Sequence, residues 1–295
     1  MIVSCGESLV DLVPDPVPGG GPMNTAVAAA RLGAPATFVG SISTDHFGVQ
    51  IRRHLQKNGV DLTASQWTSA PTARAIIEHV PQLVFRFEGT GTADTLLSEV
   101  DLDSLGPGPH ILHGGTLGLF RGRTAETLAN LVESHDGIVS LDPNVRPQII
   151  DDRSRWDHFH QRWLARTDLY KASDEDLSWI WPDRSPEASA EELLSADVTA
   201  VILTRGSGGL SIYTSEGEIK VPAPHVDVVD TIGAGDTTVA AVLASLWERD
   251  AIDTKTLAGI ALSDWQTIGT NAVTAAAVTC SRPGADPPFR HELQW

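Results

Sequence analysis

Residues 230–236 read Asp-Thr-Ile-Gly-Ala-Gly-Asp. They lie between the β-branched run Val226-Asp227-Val228-Val229 and an apolar run, Thr237 to Glu248, that holds no Gly or Pro. The first run suits the end of a strand and the second a buried helix. Gly233, Ala234 and Gly235 then stand at a helix N-terminus, where unpaired N–H groups and the helix dipole favour an anion. Asp236 is out of place beside a phosphate unless it takes a proton from the group that attacks it. An anion hole with an adjacent base is the minimal arrangement for moving a phosphoryl group to a hydroxyl. The plainer reading is a Gly-rich loop in which Asp236 is an ordinary N-cap.

Other stretches add polar groups. Gly19-Gly20-Gly21-Pro22-Met23-Asn24 runs straight into Thr25 to Gly33. Its glycines admit a ligand close to the backbone, and Asn24 can donate to and accept from hydroxyls. The same stretch reads as a Pro-opened helix with Gly33 as its C-cap, and both readings can hold together. Asp11 is a lone acid in an apolar run. Buried, it needs a partner or a pocket, where it would accept from two sugar hydroxyls; the alternative is a surface Asp on an edge strand. Asp142, Asn144 and Arg146 alternate after a β-like run. Arg146 can hold a phosphate, although turn chemistry by itself explains Asp-Pro-Asn.

Thr204-Arg205-Gly206-Ser207-Gly208-Gly209 precedes a strand-like run, Leu210–Tyr213, and not a helix, so it fails as a dinucleotide fingerprint. No Gly-x-x-x-x-Gly-Lys-Ser/Thr occurs, which excludes a P-loop ATPase. A turn beneath a nucleotide's ribose or phosphates remains. His158 and His160 lack a third ligand in spacing and read as a helix-surface pair. Trp156, Trp163, Trp179, Trp181 and Trp265 read as packing residues.

The elements that must position these groups alternate. Strand-like runs at Ile2–Cys5, Thr37–Ser41, Ile111–Gly114, Ile138–Asp142, Leu169–Ala172 and Val201–Thr204 are separated by helix-like Met23–Leu32, Phe47–Lys57, Arg123–Ser134 and Glu191–Ala196. This predicts an α/β fold, a central mostly parallel sheet with helices on both faces and ligands beyond the C-terminal strand ends. Residues 73–94 break the pattern. Two β-like runs flank Pro81-Gln82 and predict a hairpin, either a small lid over the site or an edge extension of the main sheet. The chain reads as one domain, 1–295, with the lid inserted at about 73–94.

At 41% hydrophobic and 20% charged, the 295 residues suit a globular protein. No apolar run approaches the ~20 residues that span a bilayer. Met1 to Gly6 reads as a first strand and not a signal peptide. Cys5 and Cys280 offer no metal spacing and no disulfide framework, so a cytoplasmic location is expected. The net charge of −17 makes nucleic acid and anionic membranes poor partners. A nucleotide would need local help from N–H groups, a few cations and a divalent ion.

Nearly the whole chain resembles the ribokinase-like sugar kinases, the phosphofructokinase-B family. The resemblance is carried by Gly19 to Asn24, Phe38-Val39-Gly40, Asp45 to Gly48, Asn58-Gly59-Val60-Asp61, Asp142-Pro143-Asn144, Thr204-x-Gly206 and above all Asp230 to Asp236. Gly6 to Asp11, Lys171 to Glu175 and Cys280 to Asp286 look most like bacterial fructokinases. The resemblance implies a ribokinase-like fold with a small β lid. It implies transfer of the γ-phosphate of ATP to a sugar's primary hydroxyl, D-fructose to D-fructose 6-phosphate, with Mg²⁺. Asp236 would be the base, and Gly233, Ala234 and Gly235 the anion hole. Asp11, Gly19, Gly20 and Asn24 would hold the sugar, with Asn144 and Arg146 beside them. Thr204, Gly206 and Gly209 would lie along the nucleotide, with Asn271 near the adenine. Lys171 and Asp174 would stand near the phosphates and Mg²⁺. Asp230, Ile232, Thr279, Arg282 and Gly284 match positions around a monovalent cation such as K⁺. A homodimer through the lid is a further possibility for this family.

The chain departs from the family pattern at Ser43-Thr44, at Thr237-Thr238 behind the base, and at Glu88-Gly89, where many relatives carry an aromatic and an Arg. That last change weakens the case for an acidic sugar. The rival substrates are ribose, 2-keto-3-deoxygluconate and a nucleoside. The rival of another class is a catalytically inactive sugar-binding regulatory protein.

Overall fold

The computed structural model describes residues 1–13, 15–79, 83–105 and 110–295. In chain order the elements are β1 (Ile2–Cys5), β2 (Leu9–Val13), β3 (Asp15–Gly19), α1 (Gly21–Arg31), β4 (Ala36–Val39), β5 (Ser41–Ser43), α2 (His46–Lys57), β6 (Gln66–Thr68), β7 (Ala73–His79), β8 (Leu83–Glu88), β9 (Ile111–Gly115), α3 (Gly122–Ser134) and β10 (Val139–Asp142). Then follow α4 (Arg153–Leu164), β11 (Leu169–Ser173), α5 (Asp174–Ile180), α6 (Pro186–Ser195), β12 (Ala200–Thr204), β13 (Leu210–Thr214), β14 (Gly217–Val221), α7 (Ala234–Glu248), α8 (Thr254–Ala258) and α9 (Leu262–Cys280).

The main sheet runs β14-β13-β12-β11-β10-β9-β1-β4. It is parallel from β12 to β4, and β13 and β14 add an antiparallel edge. Its parallel strands are apolar on both faces, as strands buried on both sides must be. Val3, Leu112, Val139 and Tyr170 pack with Leu128 of α3, Trp156 of α4 and Leu177 of α5. Their neighbours Ile2, Ile111, Ile138 and Leu169 point the other way, into Ala28 of α1, Ala240 of α7 and Ile268 of α9. This is the expected α/β architecture, a central mostly parallel sheet with helices on both faces. Among the described residues no helix is long and apolar enough to cross a membrane.

The predicted hairpin does not extend the main sheet. β7 and β8 join β2 and β3 in a separate four-stranded sheet, ordered β3-β2-β7-β8, and the predicted turn at Pro81-Gln82 lies outside the described residues. β3 has no sequence reading of its own because Pro16 and Pro18 argue against a strand. They are tolerated because β3 is an edge strand.

Two expectations fail. Val226–Val229 is irregular, and Val228 and Val229 are 63% and 61% exposed. Pro222 and Pro224 cannot donate to a ladder, so the approach to α7 is a loop. His160 is not a surface residue. It is buried, stacks on Trp156 and bonds the Tyr170 hydroxyl at 2.9 Å, which leaves only His158 outside.

Candidate active site

The strands β1, β9, β10, β11 and β12 all end on one side of the sheet, and two cavities open there. One, of about 350 Å³, lies between that edge and the second sheet; Asp11, Asn24, Phe87, Asn144, Arg146 and Asp236 line it. The other, of about 450 Å³, is lined by Thr204, Gly206, Gly209, the 223–228 loop and Val273, Ala276 and Ala277 of α9. Thr231 and Gly235 line both. The first turn of α7 is therefore the wall that the two cavities share.

That turn is shaped by Gly233, the N-cap, whose φ of 78° is left-handed. A Cβ there would also come within 2.7 Å of the Ala285 Cβ. Gly235 and Asp236 follow as the second and third helical residues, whose amides have no carbonyl partner within the helix. Asp236 is not the N-cap of the plainer reading. Its side chain makes no capping bond, and Oδ2 instead accepts from Asn24 Nδ2 at 2.8 Å. Burial raises its pKa to about 6; the Asn24 bond, Lys171 and Arg146 pull down, and Asp142 pushes up.

A family description, the pfkB family carbohydrate kinases, matches residues 15–292. This chain belongs to that family. A fructokinase from Rhizobium leguminosarum bv. trifolii is 36% identical over 259 residues, 83% of this chain and 79% of that one. A fructokinase from Xylella fastidiosa, solved with bound ATP, superposes with a TM-score of 0.88 at 25% identity, covering 96% of this chain and 93% of that one. An aminoimidazole riboside kinase from Salmonella enterica, solved with aminoimidazole riboside and an ATP analogue, gives 0.84 at 27% identity, covering 99% and 97%.

In this kinase the polar groups of the smaller cavity converge on Gly21. A Cβ on Gly21 would stand 2.6 Å from Thr116 Oγ1, 3.3 Å from Asn144 Nδ2 and 3.4 Å from Asp236 Oδ1. Asn144 Nδ2 donates to Thr116 Oγ1 at 3.1 Å. Burial raises Asp11 to about 6, against the pull of Arg146. Arg146, exposed at the rim, bonds the Asn144 and Val145 carbonyls at 3.2 and 3.0 Å. Gly20 lines the cavity, while Gly19 sits at its back, where a Cβ would run into the Asp11 carboxylate.

Lys171 is buried in an ion pair with Asp142, Nζ to Oδ2 2.8 Å. Burial lowers its pKa, but Asp142, Asp176 and Asp236 outweigh that and hold it charged. Its Nζ lies 3.0 Å from where a Cβ on Gly235 would stand, so a fixed cation abuts the turn between the cavities. Asp174 opens α5 and lines neither cavity. The buried acid is Asp176, which accepts from Val145 N at 2.7 Å and Ser173 Oγ at 2.8 Å and so fixes the loop after β10.

Thr204, Gly206 and Gly209 line the larger cavity, and Asn271 does not. Its amide turns to Ser245 Oγ of α7 at 3.4 Å, and the helix offers Val273 and Ala276 instead. The five cation positions also divide. The Asp230 carboxylate accepts from Ile232 N at 3.0 Å and Gly284 N at 2.8 Å, clasping the two loops together. Thr279 Oγ1 pairs with Thr237 Oγ1 at 2.9 Å, and Arg282 turns to Glu292 at 2.6 Å. Among the described residues no group of three His, Cys, Asp or Glu could hold a metal ion.

Sequence reasoning passed over Glu7, Thr116 and Phe87, which also line the smaller cavity. Glu7 is fully buried and accepts from Gly21 N at 3.0 Å and Gly118 N at 2.9 Å. Burial raises it to about 8, against the pull of those amides. The signal was present: an acid directly after a strand-ending glycine, four residues before Asp11. Of the departures, Ser43 accepts from Asp45 N at 3.0 Å, away from both cavities, while Thr238 lines the larger one.

Proposed function

We propose that this carbohydrate kinase transfers the γ-phosphate of ATP to the primary hydroxyl of a neutral sugar, D-fructose, giving D-fructose 6-phosphate and ADP. The observation that carries the reading is Asp236, held by Asn24 beside the one turn that lines both cavities. The sugar takes the smaller cavity, where Asp11, Asn24 and Asn144 meet its hydroxyls. ATP takes the larger one, its phosphates running toward Gly235.

The attacking hydroxyl gives its proton to Asp236 as its oxygen bonds to the γ-phosphorus, and the β–γ anhydride bond breaks to leave ADP. The amides of Gly235 and Asp236 and the cation of Lys171 meet the charge on the transferring group, which is where phosphoryl transfer is catalysed. Mg²⁺ bound to the ATP phosphates would neutralise part of their charge. The loops clasped by Asp230 are where a monovalent cation such as K⁺ would act on the same turn. The second sheet closes over the sugar as a lid, and a cytoplasmic location supplies both substrates.

Asp11 and Asp236 face the sugar cavity, and among its described lining residues the one cation is Arg146. An acidic sugar is disfavoured there. The test is an ADP-release assay with ATP and Mg²⁺ over fructose, ribose, glucose, 2-keto-3-deoxygluconate and adenosine. Fructose is expected to give the highest kcat/KM. A higher value for another member replaces the substrate, and ATP binding without turnover on any of them contradicts the kinase reading.

A further inference from the structure

The second sheet is fixed to the body of the molecule by a cluster just outside the sugar cavity. Arg121, on the turn before α3, donates to Asp94 Oδ2 at 2.5 Å and to the Gly89 carbonyl at the end of β8. The same guanidinium lies over the Phe87 ring, 4.7 Å from its centre. Asp94 is 1% exposed at its side chain, so its charge depends on Arg121, which is itself 14% exposed. Thr92 Oγ1 completes the knot, 2.8 Å from the Gly89 carbonyl and 2.5 Å from Asp94 Oδ1, its one proton serving either acceptor.

Phe87 connects this knot to the substrate, since it lines the sugar cavity together with Leu9, Leu117 and Ile149. Gly89 leaves the room: a Cβ there would fall against the Phe87 ring and the Arg121 guanidinium. The turn that carries Arg121 is rigid from behind. Arg121 N bonds the Leu117 carbonyl at 3.1 Å, and Arg155 holds the Phe120 and Gly122 carbonyls, each at 2.9 Å. The absence of a side chain at 89 is thus the counterpart of an arginine supplied from another loop.

We infer that Arg121 is a positioning residue for the sugar: clamped by Asp94, it presses Phe87 into place as the apolar wall of the sugar cavity. It sets sugar affinity without touching the nucleotide. This rests on the sugar-kinase reading above. A flat cation over an aromatic face, held by a two-point carboxylate and carbonyl grip, is a contact that a lysine does not reproduce.

The test uses the full-length kinase and the sugar that the wild type turns over best. Arg121→Met, Arg121→Lys and Gly89→Ala are each expected to raise the sugar KM about tenfold or more. The KM for ATP should stay within about twofold, because the turn that lines the nucleotide cavity is untouched. Phe87→Leu should raise the sugar KM similarly, and adding Arg121→Met to it should add little, since both remove one wall. If Arg121→Met does not fold, Gly89→Ala and Phe87→Leu carry the comparison. An unchanged sugar KM in the folded variants, or equal rises in both KM values, would overturn the inference. A wild type inactive on every sugar would instead count against the kinase reading itself.

Discussion

Asp236 is an acid held where burial works against its charge, which is what would let it serve as the proposed base near neutral pH. Its pKa near 6 means that proton acceptance fails as the pH falls through that value. kcat/KM should therefore decline below about pH 6, a profile that steady-state rates from pH 5 to 9 would check. Stability runs the other way. The folded pKa lies above the ordinary carboxylate value, so this group's contribution is complete below about pH 4 and is lost as pH rises through about 6. The difference is on the order of 3 kcal/mol. Asp236→Asn keeps an acceptor for Asn24 and carries no charge. It should melt several degrees higher than wild type at pH 7 and no higher at pH 4, as thermal scans at both would show. Lys171 sits in the opposite situation. Lys171→Met leaves the Asp142 carboxylate buried without its partner, which should cost about 3–5 kcal/mol in denaturant titrations.

At the scale of elements, the site depends on how the approach to α7 is held. Asp230 ties Ile232 to Gly284, and the Cys280 carbonyl accepts from Val229 N at 2.8 Å, so the loop is tied to the end of α9. Asp230→Ala should raise the KM for ATP by tenfold or more and leave sugar binding within about twofold, read by titrating each substrate separately. This clasp also marks where the sequence stops being legible. The Gly-Ala-Gly-Asp start of α7 could be read because glycine, a helix N-terminus and an unexpected acid each leave a local trace. The loop before it read as a strand because β-branched valines carry the same local preference wherever they stand, and only the prolines upstream decided otherwise. Asn271 and Asp174 were placed by likeness of position. Which side of a helix faces a cavity is settled by packing against neighbours such as Ser245, and neither their spacing nor their type reports that.

For the molecule as a whole, periodicity gave the layers, since parallel strands buried on both faces read as short apolar runs. It could not give the second sheet, whose partners β2 and β7 are separated by α1, β4 and α2, nor the position of Phe87 in the wall of the smaller cavity. Charge acts at this scale too. A chain of net charge −17 repels ATP, and screening relieves the repulsion. The KM for MgATP should fall about twofold between ~0.01 and ~0.15 M salt, with K⁺ held constant; a rise would show that local cations dominate the approach. The central claim is that Asp236, between the two cavities, takes the proton of the sugar hydroxyl. The most direct measurement is kcat of Asp236→Asn against wild type with fructose, ATP and Mg²⁺, alongside its melting temperature. The expected result is a folded variant with turnover lowered by about 10²–10⁴-fold. A folded variant with near-wild-type turnover would contradict the account.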